Sequence, residues 1–474
     1  MGSVMNWAST LDENTRLQAE MLSRSAVIAG HVALMPDAHL GMGATVGSVI
    51  PTKGAVIPAA VGVDIGCGMI AVQTNLSADK LPDSLDGLHS EISRSVPAGV
   101  GKQHSKTSHL SRDAALWMDK HRGSDRVQSM AQTAVLQLGT LGSGNHFVEV
   151  CLDENETVWV VIHSGSRGIG NKLAIQHIKV AKALCNSVPL EDKDLAYFQE
   201  SQPEFGAYIN DMLWAQDYAL ENREQMMNAV LDQLFRLTWG KEVQRINCHH
   251  NFTQQETHFG EQVWVTRKGA IDAGPGKLGV VPGSMGTKSF ITEGLGNPDS
   301  YNSSSHGAGR SRSRTAAKKE LSLDGVDGLY VLMEGKSWNV DQAKALLDEH
   351  PAAYKDIDQV MADQKDLCRP IHELHQVLNY KGPNGCSVAQ RPMHCVHNAE
   401  MRVRFPPGLP QRSVRGIEQP LKLQGWVRLL VPLPTWGRRL MVRMADSHSV
   451  DGGFDSPRPH HICRRAVIGD TKWL

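Results

Sequence analysis

Apolar residues recur at helical spacing in three parts of the chain. The clearest is residues 206–237, where six apolar residues are separated mostly by three or four positions: Met212, Ala215, Ala219, Met227, Val230 and Leu234. Because a helix turns once every 3.6 residues, this spacing places them on one face and predicts an amphipathic helix. Residues 10–30 and 112–137 also mix apolar and polar positions, and we interpret them as two further helices.

Two short runs differ from these, because they are rich in β-branched and aromatic residues. Residues 158–163, VWVVIH, and 262–269, QVWVTRKG, are typical of strands. Six glycine-dense stretches lie among the predicted elements: HLGMGATVGS, VGVDIGCG, LGSGN, SGSRGIG, PGSMG and SHGAG. Glycine in such turns lets the backbone approach a ligand closely. The pattern predicts mixed helix and sheet, with one site built from many loops.

Composition restricts the partners and the compartment. The 474-residue chain has a net charge of −1, so recognition of nucleic acid would have to rest on local clusters of charge. No apolar run reaches the length of about 18 residues expected of a membrane-spanning helix, and MGSVMNWAST does not resemble a signal segment. The eight cysteines show no disulfide-framework spacing, which fits a reducing compartment. We therefore expect a cytoplasmic protein without membrane segments.

Residues of the kinds that bind metal ions lie where strand-like runs meet glycine turns. They are Asp64 and Cys67 in VGVDIGCG, Asn145, His146 and Glu149 in LGSGNHFVE, His163 in VVIHSGSRG, and His249, His250 and Asn251 in INCHHNF. A set of carboxylate, thiolate and imidazole groups suits a divalent transition metal, and one thiolate can bridge two ions. Taken singly, each histidine is more often a buried structural residue and Cys67 an inert thiol. Their shared glycine-flanked setting favours a metal site, although no CxxC zinc spacing is present.

Two stretches carry residues suited to phosphate. Residues 282–289, PGSMGTKS, are typical of a turn whose small residues and inward backbone N–H groups hold an anion, but they lack the spacing of a P-loop. Residues 303–314, SSSHGAGRSRSR, set His306 among small residues ahead of three arginines. A neutral imidazole can attack phosphorus, and arginine can offset the charge that develops. The alternative interpretation of this stretch is a solvated loop.

Taken together, these motifs resemble the RNA-splicing ligase RtcB family. The shared segments, in the family's order, are MPDAHLGMGATVGSVIPTKGAVIPAAVGVDIGCGM, LGTLGSGNHFVEV, HSGSRGIGN, INCHHNF, VTRKGA, PGSMGTKSF, SSSHGAGR, AYKDID and a terminal YKG. The resemblance extends over residues 5–382, and its motifs are long and particular to the family. It implies a single large α+β domain with a fold peculiar to the family and an active site made of glycine-rich loops at strand ends.

The resemblance also implies roles for individual residues. His306 would be the catalytic nucleophile that takes GMP. One Mn²⁺ would be held by Asp64, Cys67 and His146, and a second by Cys67, His163 and His250, with the thiolate bridging. The GTP pocket would comprise Asn145, His146, Phe147, Val148, Glu149, His250, Asn251, Pro282, Gly283, Ser284, Met285, Ser289, His306, Gly307, Ala308, Gly309 and Lys381. Supporting positions would be Asp37, Lys268, Arg310, Arg314 and Tyr354.

The implied activity is GTP- and Mn²⁺-dependent RNA ligation in tRNA splicing or RNA repair, by a monomer. RNA ends bearing a 3′-phosphate or 2′,3′-cyclic phosphate would be joined to 5′-hydroxyl ends through GMP-histidine and RNA-(3′)pp(5′)G intermediates. One alternative is a related enzyme that guanylylates nucleic-acid 3′ ends without sealing them, or acts on DNA. A second is a metal-dependent phosphodiesterase in which His306 is a ligand or an acid. A non-catalytic RNA-binding protein would predict missing ligands, whereas every matched metal position is filled.

The composition changes after Gly382. Beyond it, 12 Arg and 2 Lys stand against 6 acidic residues, and 10 of the 22 prolines lie there. We therefore interpret residues 1–382 as the catalytic domain and 383–474 as an Arg- and Pro-rich extension. The extension would be either a disordered basic segment that adds weak RNA affinity or translated sequence without function. Its lack of repeats and of a sustained amphipathic pattern favours the second hypothesis.

Overall fold

Two β-sheets, each formed from distant parts of the sequence, provide the framework. The computed structural model describes residues 2–382 and two short strands, Val427–Leu429 and Leu440–Val442, which pair antiparallel with each other. The first sheet has the order β1–β2–β3–β11–β10, formed by β1 (Ser3–Asn6), β2 (His31–His39), β3 (Val46–Thr52), β10 (Asn251–His258) and β11 (Glu261–Lys268). Its β3–β11 pairing joins parts of the chain that are more than 200 residues apart.

The second sheet is larger and runs in the order β13–β14–β17–β6–β7–β5–β9, with β16 paired to β17. Its strands are β5 (Gly68–Ser77), β6 (Phe147–Leu152), β7 (Thr157–Ser164), β9 (Glu242–His249), β13 (Leu278–Val281), β14 (Ser289–Gly294), β16 (Ser337–Trp338) and β17 (Cys368–Lys381). Two small pairs complete the strands of residues 2–382: β4 (Ala55–Val56) with β8 (Phe198–Gln199), and β12 (Ala270–Asp272) with β15 (Ser303–Ser305). The predicted strands at 158–163 and 262–269 are confirmed as β7 and β11.

Helices flank the sheets and fill the connections between strands. They are α1 (Glu13–Ser23), α2 (Pro58–Val61), α3 (Asp86–Ser95), α4 (His109–Lys120), α5 (Asp125–Gln128), α6 (Ala131–Gln137), α7 (Arg167–Leu184), α8 (Pro203–Thr238), α9 (Arg314–Glu320), α10 (Ser322–Leu332) and α11 (Ile357–Asp363). Short 3₁₀ turns occupy Ala78–Lys80, Lys193–Leu195, Pro298–Ser300, Val340–Glu349 and Pro351–Ala353. The α+β prediction is confirmed, and residues 2–382 belong to one compact unit.

The predicted amphipathic helix at 206–237 is confirmed as α8. All six of its predicted apolar residues are fully buried. Pro203 opens the helix, where its fixed φ is helical and its missing N–H costs nothing. The helix ends at Trp239, which adopts the left-handed conformation and donates its N–H to the Phe235 carbonyl. The apolar face of α8 packs against the central strands of the larger sheet.

The other two helix predictions were wrong, one in its extent and the other in its continuity. The stretch 10–30 contains only α1, which begins after Asp12 caps it by accepting from the Thr15 N–H at 3.0 Å. Gly30 has a φ of +81°, a backbone conformation that a right-handed helix excludes. The stretch 112–137 forms α4, α5 and α6 rather than one helix, because Gly123 interrupts it and Ser124 caps a new start.

Residues 383–474, which we predicted to be an extension without a structured role, lie outside the described residues apart from the two short strands. Within the part of the chain that the structure describes, no helix is long and apolar enough to span a membrane.

Arg223 is the fully buried cation of α8, and it ties this helix to the strand ends. Its Nη1 donates to the Gly66 carbonyl at 2.8 Å and to the Ser164 carbonyl at 3.1 Å, and its Nε donates to Asn247 Oδ1 at 2.8 Å. Burial lowers the pKa of Arg223 to about 10, so the guanidinium remains charged near neutral pH. One side chain thus fixes the backbone directly beside Cys67 and His163.

We expect Arg223→Met to lower the free energy of unfolding by about 3 kcal/mol or more, because it leaves several buried acceptors without a donor. Urea unfolding followed by circular dichroism measures this change. The matched control is Arg236→Met, at an exposed position on the same helix, for which a change within about 0.5 kcal/mol is expected. Equal effects of the two substitutions would contradict the assigned role of Arg223.

Candidate active site

Five side chains suited to metal binding converge at one end of the larger sheet. Asp64 and Cys67 precede β5, His146 precedes β6, His163 lies near the end of β7, and His250 follows β9. The strand register produces this convergence, because Gly68 pairs with both Ser164 and His249 while Phe147 pairs with His163. Antiparallel neighbours therefore end or begin at the same edge.

Cys67 lies at the centre of the five. Its Sγ is 3.4 Å from His146 Nε2 and 3.3 Å from His163 Nε2. Beyond these, His146 Nε2 is 3.2 Å from Asp64 Oδ2, and His163 Nε2 is 2.9 Å from His250 Nε2. The donor atoms form two groups, Asp64–Cys67–His146 and Cys67–His163–His250, each within 4.8 Å of one another. The Cys67 sulfur belongs to both.

The backbone around these residues fixes their orientation. The Cys67 carbonyl accepts from the backbone N–H groups of His250, at 2.7 Å, and Asn251, at 3.2 Å. His163 Nδ1 donates to the Asn145 carbonyl at 3.1 Å, which leaves Nε2 of the neutral ring with its lone pair directed at the other donors. Such an outer hydrogen bond is typical of a histidine that binds metal.

Burial determines the protonation of the ligands. It lowers the pKa of His163 and of His250 well below the usual range, with the neighbouring imidazoles adding to the effect, so both rings are neutral. Burial, followed by the nearby Asp64 carboxylate, raises the pKa of the Cys67 thiol. A bound cation would reverse this effect on the thiol, because it favours the thiolate. The donor set includes the neutral imidazoles of His163 and His250, a carboxylate and a thiol. Such a set fits a divalent transition metal better than Mg²⁺ or Ca²⁺.

A third group of ligand-type side chains lies away from this centre, at the turn between β6 and β7. It comprises Asp153, Glu154 and His372. The Asp153 carboxylate accepts from Trp159 Nε1 at 3.0 Å and from two backbone N–H groups of the turn at 2.9 Å. These bonds account for Asp153 as a residue that shapes the hairpin.

His306 lies close to the metal-type donors but comes from a different part of the fold. It follows β15, and its ring centroid is 4.7 Å from that of His250. Its Nδ1 donates to Asp37 Oδ2 at 2.6 Å, and its backbone N–H donates to the same oxygen at 3.1 Å. Asp37 is fully buried in β2, and the approach needs a glycine at Gly309, where a Cβ would lie 2.2 Å from the Asp37 carbonyl oxygen. The Asp37 contact leaves His306 Nε2 with its lone pair, as a nucleophile requires.

A cavity of about 340 Å³ joins His306 to the metal-type donors. Most of the sequence-predicted residues line it: Asp64, Cys67, Asn145, Phe147, Glu149, His163, His250, Asn251, Lys268, Pro282, Gly283, Ser284, Met285, His306, Gly307, Ala308, Gly309, Arg310, Arg314, Tyr354 and Lys381. Its size suits a small molecule held by a few polar groups.

Four predicted residues do not line the cavity. Asp37 lies behind His306, and His146 lies against Cys67 and Asp64. Val148 points into the apolar core beneath the sheet, because alternate residues of a strand face opposite sides and its neighbours Phe147 and Glu149 face the cavity. Ser289 is buried and accepts from the Gly283 N–H at 3.3 Å, so it supports the loop from behind.

The loop 282–289 differs from the anion-holding turn that we predicted. Three of its backbone N–H groups already have partners within the protein: Gly283 donates to Ser289 Oγ, Ser284 to Thr287 Oγ1 at 2.6 Å, and Gly286 to Gln376 Oε1 at 3.1 Å. Side-chain hydroxyls and an amide from β17 satisfy the donors that the glycine-rich pattern led us to assign to a ligand. The loop therefore shapes the wall of the cavity, and these three amides are not free to form a nest there.

Buried charges line the cavity on both sides. Burial raises the pKa of the Glu149 carboxyl to about 8, against the opposing effects of Lys381 and of the Asn379 amide, which donates to Glu149 at 2.7 Å. Burial lowers the pKa of Lys268 to about 8, and its ammonium donates to the carbonyls of Met42 and Ala59. Arg312, by contrast, is exposed and pairs with Glu320 at 2.8 Å.

Sequence reasoning missed three titratable residues at the site, besides several small or apolar residues of the cavity wall. His39 lines the cavity and occurs in the quoted MPDAH segment, where it could have been noticed. Glu349 lines the cavity wall beside the arginines, and Arg223 lies behind the metal-type donors. Nothing in the sequence around Glu349 or Arg223 indicates a role in the site. An acidic residue close before a proline, or an arginine within a long helix, is usually solvent-exposed.

Comparison with known proteins identifies the relatives of the chain. Residues 18–382, which contain the whole site, match the family model described as tRNA-splicing ligase RtcB. RNA-splicing ligase RtcB of Escherichia coli (strain K12) is 43% identical over 397 residues, covering 78% of this chain and 95% of that protein. tRNA-splicing ligase RtcB of Nanoarchaeum equitans is 32% identical over 441 residues, covering 77% of this chain and 88% of that protein.

Glu149→Gln should change how stability depends on pH. The folded carboxyl keeps its proton to about pH 8, whereas an unfolded one loses it near 4.5, so the folded wild type binds more protons between these values. Its stability therefore falls as pH rises through that window, by about 1.4 kcal/mol per pH unit at most, and the uncharged amide of the variant removes this loss. Urea unfolding at pH 5, 6.5 and 8 with a chelator present should show the variant gaining on the wild type as pH rises. Glu334→Gln, at an exposed position, is the control and should show no such trend.

Proposed function

Because this chain belongs to the RtcB family of RNA-splicing ligases, we propose that it joins RNA ends at the expense of GTP. The RNA substrates would carry a 3′-phosphate or 2′,3′-cyclic phosphate on one end and a 5′-hydroxyl on the other. The observation that carries the proposal is the Asp37–His306 pair, whose free imidazole nitrogen opens on a cavity that four of the five metal-type donors also line. Two roles fit this chemistry: tRNA splicing, which appears in the names of several relatives, and RNA repair.

The first step would load the enzyme with GMP. His306 Nε2 attacks the α-phosphorus of GTP, an N–P bond forms as the bond to the β-phosphate oxygen breaks, and pyrophosphate leaves. The imidazole ring gains positive charge in this step, and the buried Asp37 carboxylate at 2.6 Å from Nδ1 offsets it. Arg310, Arg314 and Lys268 line the same cavity and would balance the phosphate charge.

Two further steps would complete ligation. An oxygen of the RNA 3′-phosphate attacks the phosphorus of the histidine-bound GMP, and the N–P bond breaks to give an RNA-(3′)pp(5′)G end. The RNA 5′-hydroxyl then attacks the 3′-phosphorus, the phosphodiester bond forms, and GMP leaves. A 2′,3′-cyclic phosphate would first be opened by water. Throughout, the protein contributes position and charge, and His306 is the group that becomes covalently modified.

The donor set supports two Mn²⁺ ions held by Asp64, Cys67 and His146 and by Cys67, His163 and His250. Such ions would polarise phosphoryl oxygens when bound. Of the ligand groups found in residues 2–382, none includes His306, which favours the nucleophile over the alternative in which His306 is a ligand of a phosphodiesterase.

The nucleotide would lie between the β6 strand and the loops of the opposite wall. Phe147 and Glu149 face the cavity from β6, with Lys381 Nζ 5.3 Å from the Phe147 ring centroid. Main-chain groups of residues 307–309 and the wall of 282–285 complete the enclosure. Asn251 also has a structural role, because its side chain joins two loops: it donates to the Asp64 carbonyl at 3.2 Å and accepts from the Gly269 N–H at 2.8 Å.

We further propose that residues 1–382 are sufficient for ligation and that the 383–474 extension is dispensable. We also propose that the enzyme acts as a monomer. The cysteines among residues 2–382 are free, and the site needs Cys67 as a thiol, so a reducing cytoplasm is the setting we propose.

His306→Ala should abolish the covalent adduct that the wild type forms with GTP. Incubation with α-labelled GTP and Mn²⁺, followed by denaturing electrophoresis, should give an acid-labile label on the wild type and none on the variant. His375→Ala, at an exposed position paired with Glu373, is the control and should keep the label. A wild type that takes no label with any divalent metal would refute both ligation and end-capping. RNA with 3′-phosphate and 5′-hydroxyl ends then separates these two, because only a ligase yields a longer strand.

Substitution of the metal-type donors should remove ions selectively. Equilibrium dialysis against Mn²⁺ should give two ions per wild-type chain, and one after His146→Ala or His250→Ala, because each side chain belongs to one of the two donor groups. Cys67→Ser should weaken both sites, since its sulfur is shared. His375→Ala again serves as the control. Retention of two tightly bound ions by Cys67→Ser would contradict the shared ligand.

A further inference from the structure

Glu349 is a buried carboxylate that four side chains of the cavity wall share. It is the last residue of the 3₁₀ turn Val340–Glu349 and is only 3% exposed. Its Oε1 lies 2.6 Å from Arg314 Nη1 and 3.7 Å from Arg310 Nη1. Its Oε2 lies 3.0 Å from Lys381 Nζ and accepts from the Tyr354 hydroxyl at 2.9 Å.

These partners come from separate parts of the chain, so Glu349 adds charged contacts to the backbone hydrogen bonds that already join the segments around Arg310 and Tyr354. Arg310 and Arg314 follow β15, Tyr354 follows the 3₁₀ turn Pro351–Ala353, and Lys381 ends β17. Tyr354 extends the network, because its hydroxyl accepts from Arg310 Nη1 at 2.9 Å and its ring lies 4.8 Å beneath the Arg310 guanidinium. All five residues line the cavity.

The charges require such an arrangement. Lys381 is 3% exposed, and a buried ammonium without a partner is costly. Burial alone would raise the pKa of Glu349, but Lys381 and then Arg314 outweigh it, and the pKa is lowered. The carboxylate is therefore ionised at neutral pH and neutralises cations that would otherwise repel one another.

We propose that Glu349 is a positioning residue for the nucleotide: it holds Lys381 against one carboxylate oxygen and Arg314 against the other, with Arg310 nearby, and so fixes the cations that GTP would contact. This inference rests on the proposed function of the same cavity. It assigns Glu349 no contact with the reacting atoms. Its effect is exerted through the three cations and through Tyr354.

The consequence of losing this carboxylate depends on two opposing effects. Glu349→Gln makes the cavity more positive, which by itself would favour a triphosphate. However, the amide keeps one acceptor and presents an N–H₂ group to a cation, so Lys381 or Arg314 loses its fixed position. Arg314 retains Asp348, at 2.8 Å, so we expect Lys381 to be the more displaced. Because these groups hold the nucleotide before and during reaction alike, their misplacement weakens binding more than it slows chemistry.

The experiment measures single-turnover guanylylation over a range of GTP concentrations. For Glu349→Gln we expect the half-saturating GTP concentration to rise tenfold or more and the maximal rate to fall less than threefold. A merely structural role would reduce the fraction of active protein, which lowers the maximal amount of adduct without moving half-saturation. Glu320→Gln is the matched control, an exposed carboxylate that pairs with Arg312 outside the cavity, and it should match the wild type.

Glu349→Asp provides the second variant, since it keeps the charge and a shortened carboxylate. We expect half-saturation between those of the wild type and Glu349→Gln, with thermal unfolding monitored for every variant. Wild-type half-saturation in Glu349→Gln, or an unmoved half-saturation with reduced adduct, would overturn the inference. If the wild type forms no adduct, the proposed function fails, and calorimetric binding of GTP to the same variants then decides separately whether Glu349 organises a nucleotide pocket.

Discussion

The structure depends most on one constraint, the need to bring four other metal-type donor groups together around the Cys67 sulfur, with only Asp64 partly exposed. Each donor loses its water on burial, and a lone pair without a partner costs free energy. Two neutral imidazoles within 2.9 Å of each other, beside a thiol and a carboxylate, are difficult to satisfy by hydrogen bonds among themselves. Divalent cations held by the two donor groups would satisfy these lone pairs. The surrounding fold holds this cluster in place although burying its polar groups costs free energy.

The larger sheet meets this constraint through register. His163 is paired with Phe147 on one side and Met69 on the other, so the residues that flank these strands meet at one edge. Arg223 then fixes the backbone carbonyls next to two of the ligands from below, where α8 crosses the sheet. The proposed nucleophile comes from elsewhere: His306 follows β15 and is oriented by Asp37 of the other sheet. The cavity therefore has metal-type donors from one sheet on one side and the Asp37–His306 pair on the other.

Electrostatic balance in the cavity arises from burial. Acidic and basic groups that line it are nearly all withdrawn from water, and each is held by a specific partner. Glu149 is kept protonated near neutral pH, Lys268 is held by backbone carbonyls, and Glu349 is shared among Lys381 and two arginines. Such fixed charges need little reorganisation when a phosphate arrives, which is the condition for strong stabilisation of a developing charge.

The sequence by itself determined the long helix α8, the strands β7 and β11, and the identity of most residues that line the cavity. Periodicity and β-branched runs are local, and motif resemblance needs no coordinates, so these predictions did not depend on packing. Helix ends were less predictable. Whether a helix stops near a glycine such as Gly30 or Gly123 depends on the neighbouring residues and on how they pack. Only the tertiary structure decided that Val148 faces the core, that amides of 282–289 already have partners, and that Arg223 and Glu349 serve the site. Those facts concern contacts between residues that are distant in sequence. Strand register and burial determine such contacts, and both are properties of the folded chain.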